Sequence, residues 1–282
     1  MERNKIQIGI MQGRLSKPTD GKFQSFPKYT WKEEFFSARE AGLSNIEWIF
    51  EADEWQKNPI STDVGIKQIR EVMSETGVVI ESICADYFMD IPYFTASLNE
   101  RKELSEKLTW LVHQVEKIDA RNIDLPFVDA SKVESSEQYP LIIEFISPAL
   151  KVAEKLNINI ALETNLNPQD FKDLLEMGNH RNLWANYDTG NSSGIGYDCR
   201  EELDAYGKWI KTLHIKDRIL DGGTMPLGSG SANFNHFFSR LSELKYKGPI
   251  ILQAAREEEK EVTTAIKNRI FVEDYISKYS EK

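Results

Sequence analysis

This 282-residue sequence predicts a single (β/α)8 barrel, and three observations carry that prediction. Eight short β-rich runs alternate with eight longer amphipathic runs. The runs recur roughly every 35 residues, the length of one β/α unit. The first strand is followed by Met11-Gln12-Gly13-Arg14-Leu15, not by the glycine-rich turn that an open doubly wound sheet usually carries. A barrel of this type takes typically about 250 residues, so the chain fits with modest insertions. No linker, low-complexity segment or composition break divides it, and residues 1–282 read as one domain.

In chain order the strands are read at Ile6–Ile10, Asn45–Ile49, Val78–Cys84, Asn122–Leu125, Ile158–Glu163, Leu183–Asp188, Thr212–Lys216 and Pro249–Gln253. Runs such as Ile-Asn-Ile-Ala-Leu at 158–162 and Pro-Ile-Ile-Leu at 249–252 are apolar without strict alternation. That pattern suits strands of a parallel sheet buried on both faces. Between them, apolar residues fall at three- and four-residue spacing. Phe35, Phe36, Ala38 and Ala41 mark the first helix, and Leu104, Leu108, Leu111, Val112 and Val115 mark the third. Gly42 and Gly77 end two early helices. Asn167-Pro168 opens a later one, which buries Phe171, Leu174 and Leu175 and is closed by Gly178.

Composition narrows the function. Lys+Arg 35 against Asp+Glu 45 gives a formal net charge of −10, which opposes a nucleic-acid-coating surface. No apolar run reaches about 18 residues, so no membrane-spanning helix is expected. The first residues carry no signal-peptide hydrophobic region. Two cysteines, Cys84 and Cys199, make no disulfide scaffold. These features describe a cytoplasmic globular protein with no nucleic-acid or membrane partner; a homo-oligomer is left open.

Barrel active sites lie at the C-terminal ends of the strands. The fifth ends in Glu163, the sixth in Asp188, the seventh in His214 and Lys216, and the eighth in Gln253. Strand one leads to Arg14, strand two passes Glu47 and reaches Glu51, and strand three reaches Cys84 and Asp86. Taken singly these are weak signals: Asp188 before Thr189-Gly190 reads equally well as a helix cap, and a lone histidine is usually a satisfied core or surface residue. Together, polar ends on four adjacent strands are costly to bury without a shared partner. Two carboxylates, an imidazole and an amide oxygen suit one divalent ion, Mn²⁺, Mg²⁺, Co²⁺ or Zn²⁺. His113, His180 and His236 fall on helices or loops and read as solvated.

The segments Ala161-Leu162-Glu163-Thr164-Asn165, Asn186-Tyr187-Asp188-Thr189-Gly190-Asn191 and Leu213-His214-Ile215-Lys216-Asp217 resemble the sugar-phosphate isomerase/epimerase family. These are the xylose isomerase-like TIM barrels, which include ketose 3-epimerases. The resemblance covers essentially the whole chain in strand order. It implies that Glu163, Asp188, His214 and Gln253 stand at the metal-ligand positions, with Glu163 also a catalytic base.

Gln253 departs from the family pattern, in which a second glutamate works on the opposite face of the sugar carbon. An amide oxygen can ligate a metal, but it cannot act as a base. A one-base isomerisation through a metal-stabilised enediolate remains open to this chain. Glu257, Glu258 and Glu259 read as the charged start of the last helix and not as a shifted second base.

Candidate contacts to a free or phosphorylated carbohydrate are Arg14, Glu47, Asn191, Arg218, and Gly228 and Gly230 in the turn Pro226–Asn233. That turn reads as a flexible lid, a plain turn or a phosphate cradle before a helix. Lys216 is a second catalytic candidate, able to bring positive charge to an enediolate or phosphate oxygen. Trp48, Tyr87 and Phe88 lie where aromatics either stack on a sugar or pack the core. The metal-dependent abasic-site endonucleases share the barrel, but they imply many more histidines at the strand ends than this chain has. A sugar-binding barrel without catalysis is the alternative that Gln253 keeps open.

Overall fold

The computed structural model describes residues 6–22, 24–257 and 260–280. Eight parallel strands close on themselves: β1 Ile8–Met11, β2 Asn45–Ile49, β3 Val79–Cys84, β4 Asn122–Phe127, β5 Asn159–Thr164, β6 Leu183–Asp188, β7 Ile210–Ile215 and β8 Ile250–Leu252. Each strand pairs with its sequence neighbour, and β8 returns to β1 through Ile8–Ile250, Gly9–Ile251 and Ile10–Leu252. The outer ring is α1 Trp31–Glu40, α2 Asp63–Thr76, α3 Leu98–Lys117, α4 Tyr139–Leu156, α5 Pro168–Gly178, α6 Cys199–Tyr206, α7 Phe234–Glu243 and α8 Glu261–Ser280. Short helices at Tyr87–Asp90 and Thr189–Ile195 sit at the mouth, as does a small antiparallel ribbon of Asp217–Arg218 and Thr224–Met225. The predicted barrel is the observed one.

Local signals account for the helix ends. Thr62 Oγ1 accepts the Gly65 N–H at the start of α2, and Ser97 and Glu100 form a capping box on α3. Asn167 accepts the Asp170 N–H at the start of α5. Gly77 closes α2 at φ +73°, in the left-handed region where a side chain is strained. At α5 the corresponding left-handed cap is Asn179, because Gly178 is still helical. On α1 the buried stripe is Trp31, Glu34, Phe35 and Ala38, while Phe36 is turned partly outward.

The strands are buried on both faces, as their sequence suggested, but the two faces differ in polarity. Residues such as Ile10, Ile46, Ile123, Ile160 and Leu213 face the helices. Their neighbours Glu47, Ser82, Asn122, Asp124, Asn186, Thr212 and His214 fill the barrel, almost fully buried. A polar interior is unusual for a barrel core. Part of it is paired, as Ser82 with Glu47 and Asn186 with Glu163, while Asp124 Oδ1, Asn186 Oδ1 and Thr212 Oγ1 have no hydrogen-bond partner among the described residues; the set places charge at the floor of the mouth. Glu257 precedes α8, which begins at Glu261, so it is not part of the helix start; Glu258 and Glu259 lie outside the described residues.

One buried carboxyl belongs to the scaffold. Glu34 on α1 is 1% exposed and accepts the Gly13 N–H at 2.9 Å and the Ser16 Oγ–H at 2.7 Å. Burial lifts its pKa from 4.5 to about 7, against the pull of those hydrogen bonds and of Arg256. The folded chain therefore holds a proton that the unfolded chain has released. This group costs no stability below pH 4.5 and removes up to about 3 kcal/mol as pH rises from 4.5 toward 7. Urea melts of Glu34→Gln should gain about 1–3 kcal/mol on the parent between about pH 5 and about pH 8. A difference that does not change with pH would assign the titration elsewhere.

Candidate active site

At the end of β7 the His214 imidazole is fully buried and fixed from both sides. Its Nε2 lies 2.7 Å from Glu47 Oε2, and the Ser82 hydroxyl donates to Glu47 Oε1 at 2.7 Å. Its Nδ1 faces Glu163 Oε2 at 3.3 Å and Asp188 Oδ2 at 3.9 Å. Asn186 Nδ2 reaches the same nitrogen at 3.1 Å and donates to Glu163 Oε2 at 2.8 Å. Burial opposes a charge on His214, but the carboxylates of Glu47, Glu163 and Asp124 outweigh it and hold the pKa well above its ordinary value.

Glu163, one residue before the end of β5, lines a cavity of about 480 Å³. Burial pushes its pKa up, yet His214, Lys216 and Asn186 together bring it down to about 2. It is therefore ionised at neutral pH, the state a base needs. The same contacts weaken its pull on a proton, so any C–H it attacks must be acidified by positive charge near the adjacent carbonyl. Such charge is present. The Lys216 ammonium donates to Asp188 Oδ2 at 3.3 Å, Asn191 Oδ1 at 3.1 Å and Gln253 Oε1 at 3.1 Å.

Asp188 is the helix cap that the sequence allowed, and its second oxygen is turned into the site. Its Oδ1 caps the short 189–195 helix, accepting the Gly190 and Asn191 N–H groups at 2.8 Å, while Oδ2 faces Lys216 and His214. Asn191 lines the cavity and donates to Glu163 Oε1 at 2.5 Å. Arg218 also lines it, braced on the Gly222 carbonyl and reaching Asn191 Oδ1 at 3.3 Å. Gln253, one residue past β8, joins the group through Lys216 and donates to Gln24 Oε1 at 3.1 Å.

Other expected contacts stand differently. Glu47 is fully buried beneath His214, on the partner side of the imidazole and away from the open mouth. Arg14 is buried and spent on the Ala254 carbonyl and Gln24 Oε1, so it braces the wall behind the cavity. The Gly228 and Gly230 N–H groups are not free for phosphate, because both donate to Asp217 Oδ2, at 2.9 and 2.8 Å. Ala232 N–H donates to the other oxygen at 3.0 Å. Asp217→Ala would strand three amides and should cost about 2–4 kcal/mol in urea melts; a loss under about 1 kcal/mol would mean that water replaces the carboxylate. Trp48 and Phe88 pack in the core, Trp48 edge-on to Trp31, and the half-buried Tyr87 packs against it, stacked on Phe50.

The structure also gathers residues that were not assigned from sequence. Asp124 lies in the middle of β4, fully buried, with Oδ2 at 3.7 Å from His214 Nε2. Its only sequence signal is inward parity with Asn122. Asn186 lies two residues before Asp188 on the same face. Asp86, just beyond β3, and Gln24, on the β1–α1 loop, line the mouth.

The donor set fits a divalent ion. Among the described residues Asp124, Glu163 and His214 form a group compact enough to hold one, and Asp188 stands on the Nδ1 side. The separations of Glu163 and Asp188 from Nδ1 bracket the roughly 3.4 Å between neighbouring ligands on bonds near 2.1 Å. The Glu47–His214 contact is the carboxylate–imidazole pair that usually orients a metal-binding histidine.

A closed eight-strand barrel with acid, imidazole and amide groups at its mouth defines the class, and the chain belongs to the xylose isomerase-like TIM barrel family, whose model matches residues 35–271. Among curated proteins it is 22% identical, over 91% of each chain, to a Haemophilus influenzae protein named "Putative L-ribulose-5-phosphate 3-epimerase SgbU". Similar solved structures include an L-ribulose 3-epimerase, at TM-score 0.77 and 14% identity over 98% of this chain and 96% of that one. The IOLI protein with a bound zinc atom superposes at TM-score 0.75, with 16% identity over 97% and 99%. By family and relatives the chain stands with the sugar isomerases and epimerases. None of its described helices is long and apolar enough to cross a membrane.

Proposed function

We propose that this barrel is a divalent-metal-dependent isomerase or epimerase of a free or phosphorylated sugar, with Glu163 as the base. The observation that carries the reading is the meeting of Glu163, Asp188 and His214, with Glu163 lining the cavity and the other two buried against it. A Mn²⁺, Mg²⁺, Co²⁺ or Zn²⁺ ion held by Glu163, Asp188, His214 and the neutral Gln253 would polarise the sugar carbonyl and stabilise an enediolate. Asn186 and Asn191 aim the Glu163 carboxylate, each donating to one of its oxygens. Lys216 supplies fixed positive charge beside it, and Arg218 and Asn191 present polar groups to sugar hydroxyls at the rim. The buried surroundings limit water around the reacting atoms.

The names of the relatives point to ketoses and ketose phosphates. In D₂O with Mn²⁺, the protein should wash deuterium into the carbon beside the carbonyl of L-ribulose 5-phosphate, L-ribulose or D-tagatose. Exchange into none of them would sink the reading. Sugar binding without exchange would support the non-catalytic barrel, which Gln253 itself favours because an amide leaves that position without a base.

A further inference from the structure

Inverting a carbon requires one group to take its proton and another to return one to the opposite face. Gln253 cannot do the second task, so the residues around the cavity must supply it if the chain epimerises. Three carboxyl groups line the cavity: Glu163, Asp129 and Asp86. Asp129 is exposed at the rim. Asp86 is buried, 6% exposed, just beyond the end of β3.

We propose that Asp86 is the second acid–base group of this site, replacing the carboxylate that β8 lacks. The proposal rests on Glu163 being the base. A hydrogen-bond chain leads from the Gln253 position to Asp86: Gln253 Nε2 donates to Gln24 Oε1 at 3.1 Å, and Gln24 Nε2 donates to Asp86 Oδ2 at 2.9 Å. The Cys84 thiol, 3.1 Å from Asp86 Oδ1, fixes the carboxyl from its other side. Two neighbours thus orient a buried acid that still borders the cavity. The groups acting on it are Asp90 and Glu163, both negative, with Arg14 braced on Gln24 behind it. Burial lifts the Asp86 pKa to about 6, against the hydrogen bonds from Gln24 and Cys84. That value leaves both protonation states accessible near neutrality, as a proton donor and acceptor requires.

The step balances. Glu163 takes the C–H proton, and the bonding pair passes into the enediolate. The carboxylic acid of Asp86 then gives its proton to the other face of that carbon, where the enediolate pair re-forms the C–H bond. Glu163 is left protonated and Asp86 ionised, and exchange with water resets both. The reverse reaction uses the two groups in opposite roles.

The test separates exchange from inversion. With Mn²⁺ in D₂O, each ketose named above is followed by NMR for deuterium wash-in and for the 3-epimer. The parent should form the epimer. Asp86→Asn should keep wash-in on the starting sugar while epimer formation falls at least about 100-fold. Adding Gln253→Glu to that variant should restore part of the inversion, which shows that the fold survives. Epimer formation by Asp86→Asn within a few-fold of the parent overturns the proposal. So does loss of wash-in together with inversion, because that marks a residue that only shapes the site. A parent that exchanges but never inverts sinks the role of Asp86 and leaves the base intact; a parent that does neither sinks both.

Discussion

Glu163→Gln is expected to reduce deuterium wash-in by about 10²–10⁴-fold, the range for removing a positioned general base. The amide has nearly the same shape and retains an oxygen to accept from Asn186 or Asn191, which now hold the carboxylate at 2.8 and 2.5 Å. The fold should therefore persist, as circular dichroism would show. What disappears is the carboxylate proposed to take the proton. Wash-in within about tenfold of the parent would place the base elsewhere, and the cavity offers Asp86 as the first alternative to test.

The second large effect is expected at Glu47. Its carboxylate accepts from the Ser82 hydroxyl and holds His214 Nε2 at 2.7 Å, which turns Nδ1 toward Glu163 and Asp188. Removing the charge while keeping the shape, in Glu47→Gln, lowers the basicity of Nδ1 and loosens the ring. Partners of this kind are typically worth 10–100-fold in metal affinity. Titration calorimetry with Mn²⁺ should show a loss of that size with the heat of unfolding little changed. Unchanged affinity would mean that the imidazole does not ligate the ion.

Much of the architecture was legible because each strand end carries its own local record. Eight apolar runs at near-constant spacing, with caps at Asn167 and Gly77, describe a barrel before any contact is known. The polar ends Glu163, Asp188, His214 and Gln253 could be listed the same way, since strand direction alone puts them at the mouth. Asp124 was not legible, because a charge inside a strand means nothing until the facing residue is His214. Glu47 was placed in the mouth but stands beneath the imidazole, a difference of depth and not of strand. Gly228 and Gly230 looked like free donors, because only the folded chain brings Asp217 to their amides.

By itself, then, the sequence determined the barrel, the strand order, the candidate donors at the mouth and the missing carboxylate at Gln253. The first three follow from periodicity and chain direction, which act locally, and the last from the resemblance to a known family. Only the tertiary structure decided what each donor faces: Lys216 bridging Asp188 to Gln253, Glu47 locking His214, and Asp86 tied through Gln24 to the position that lacks an acid. Those contacts join residues far apart in the chain, and their strength depends on closure of the barrel, which removes water and lets a few charges set one another's state.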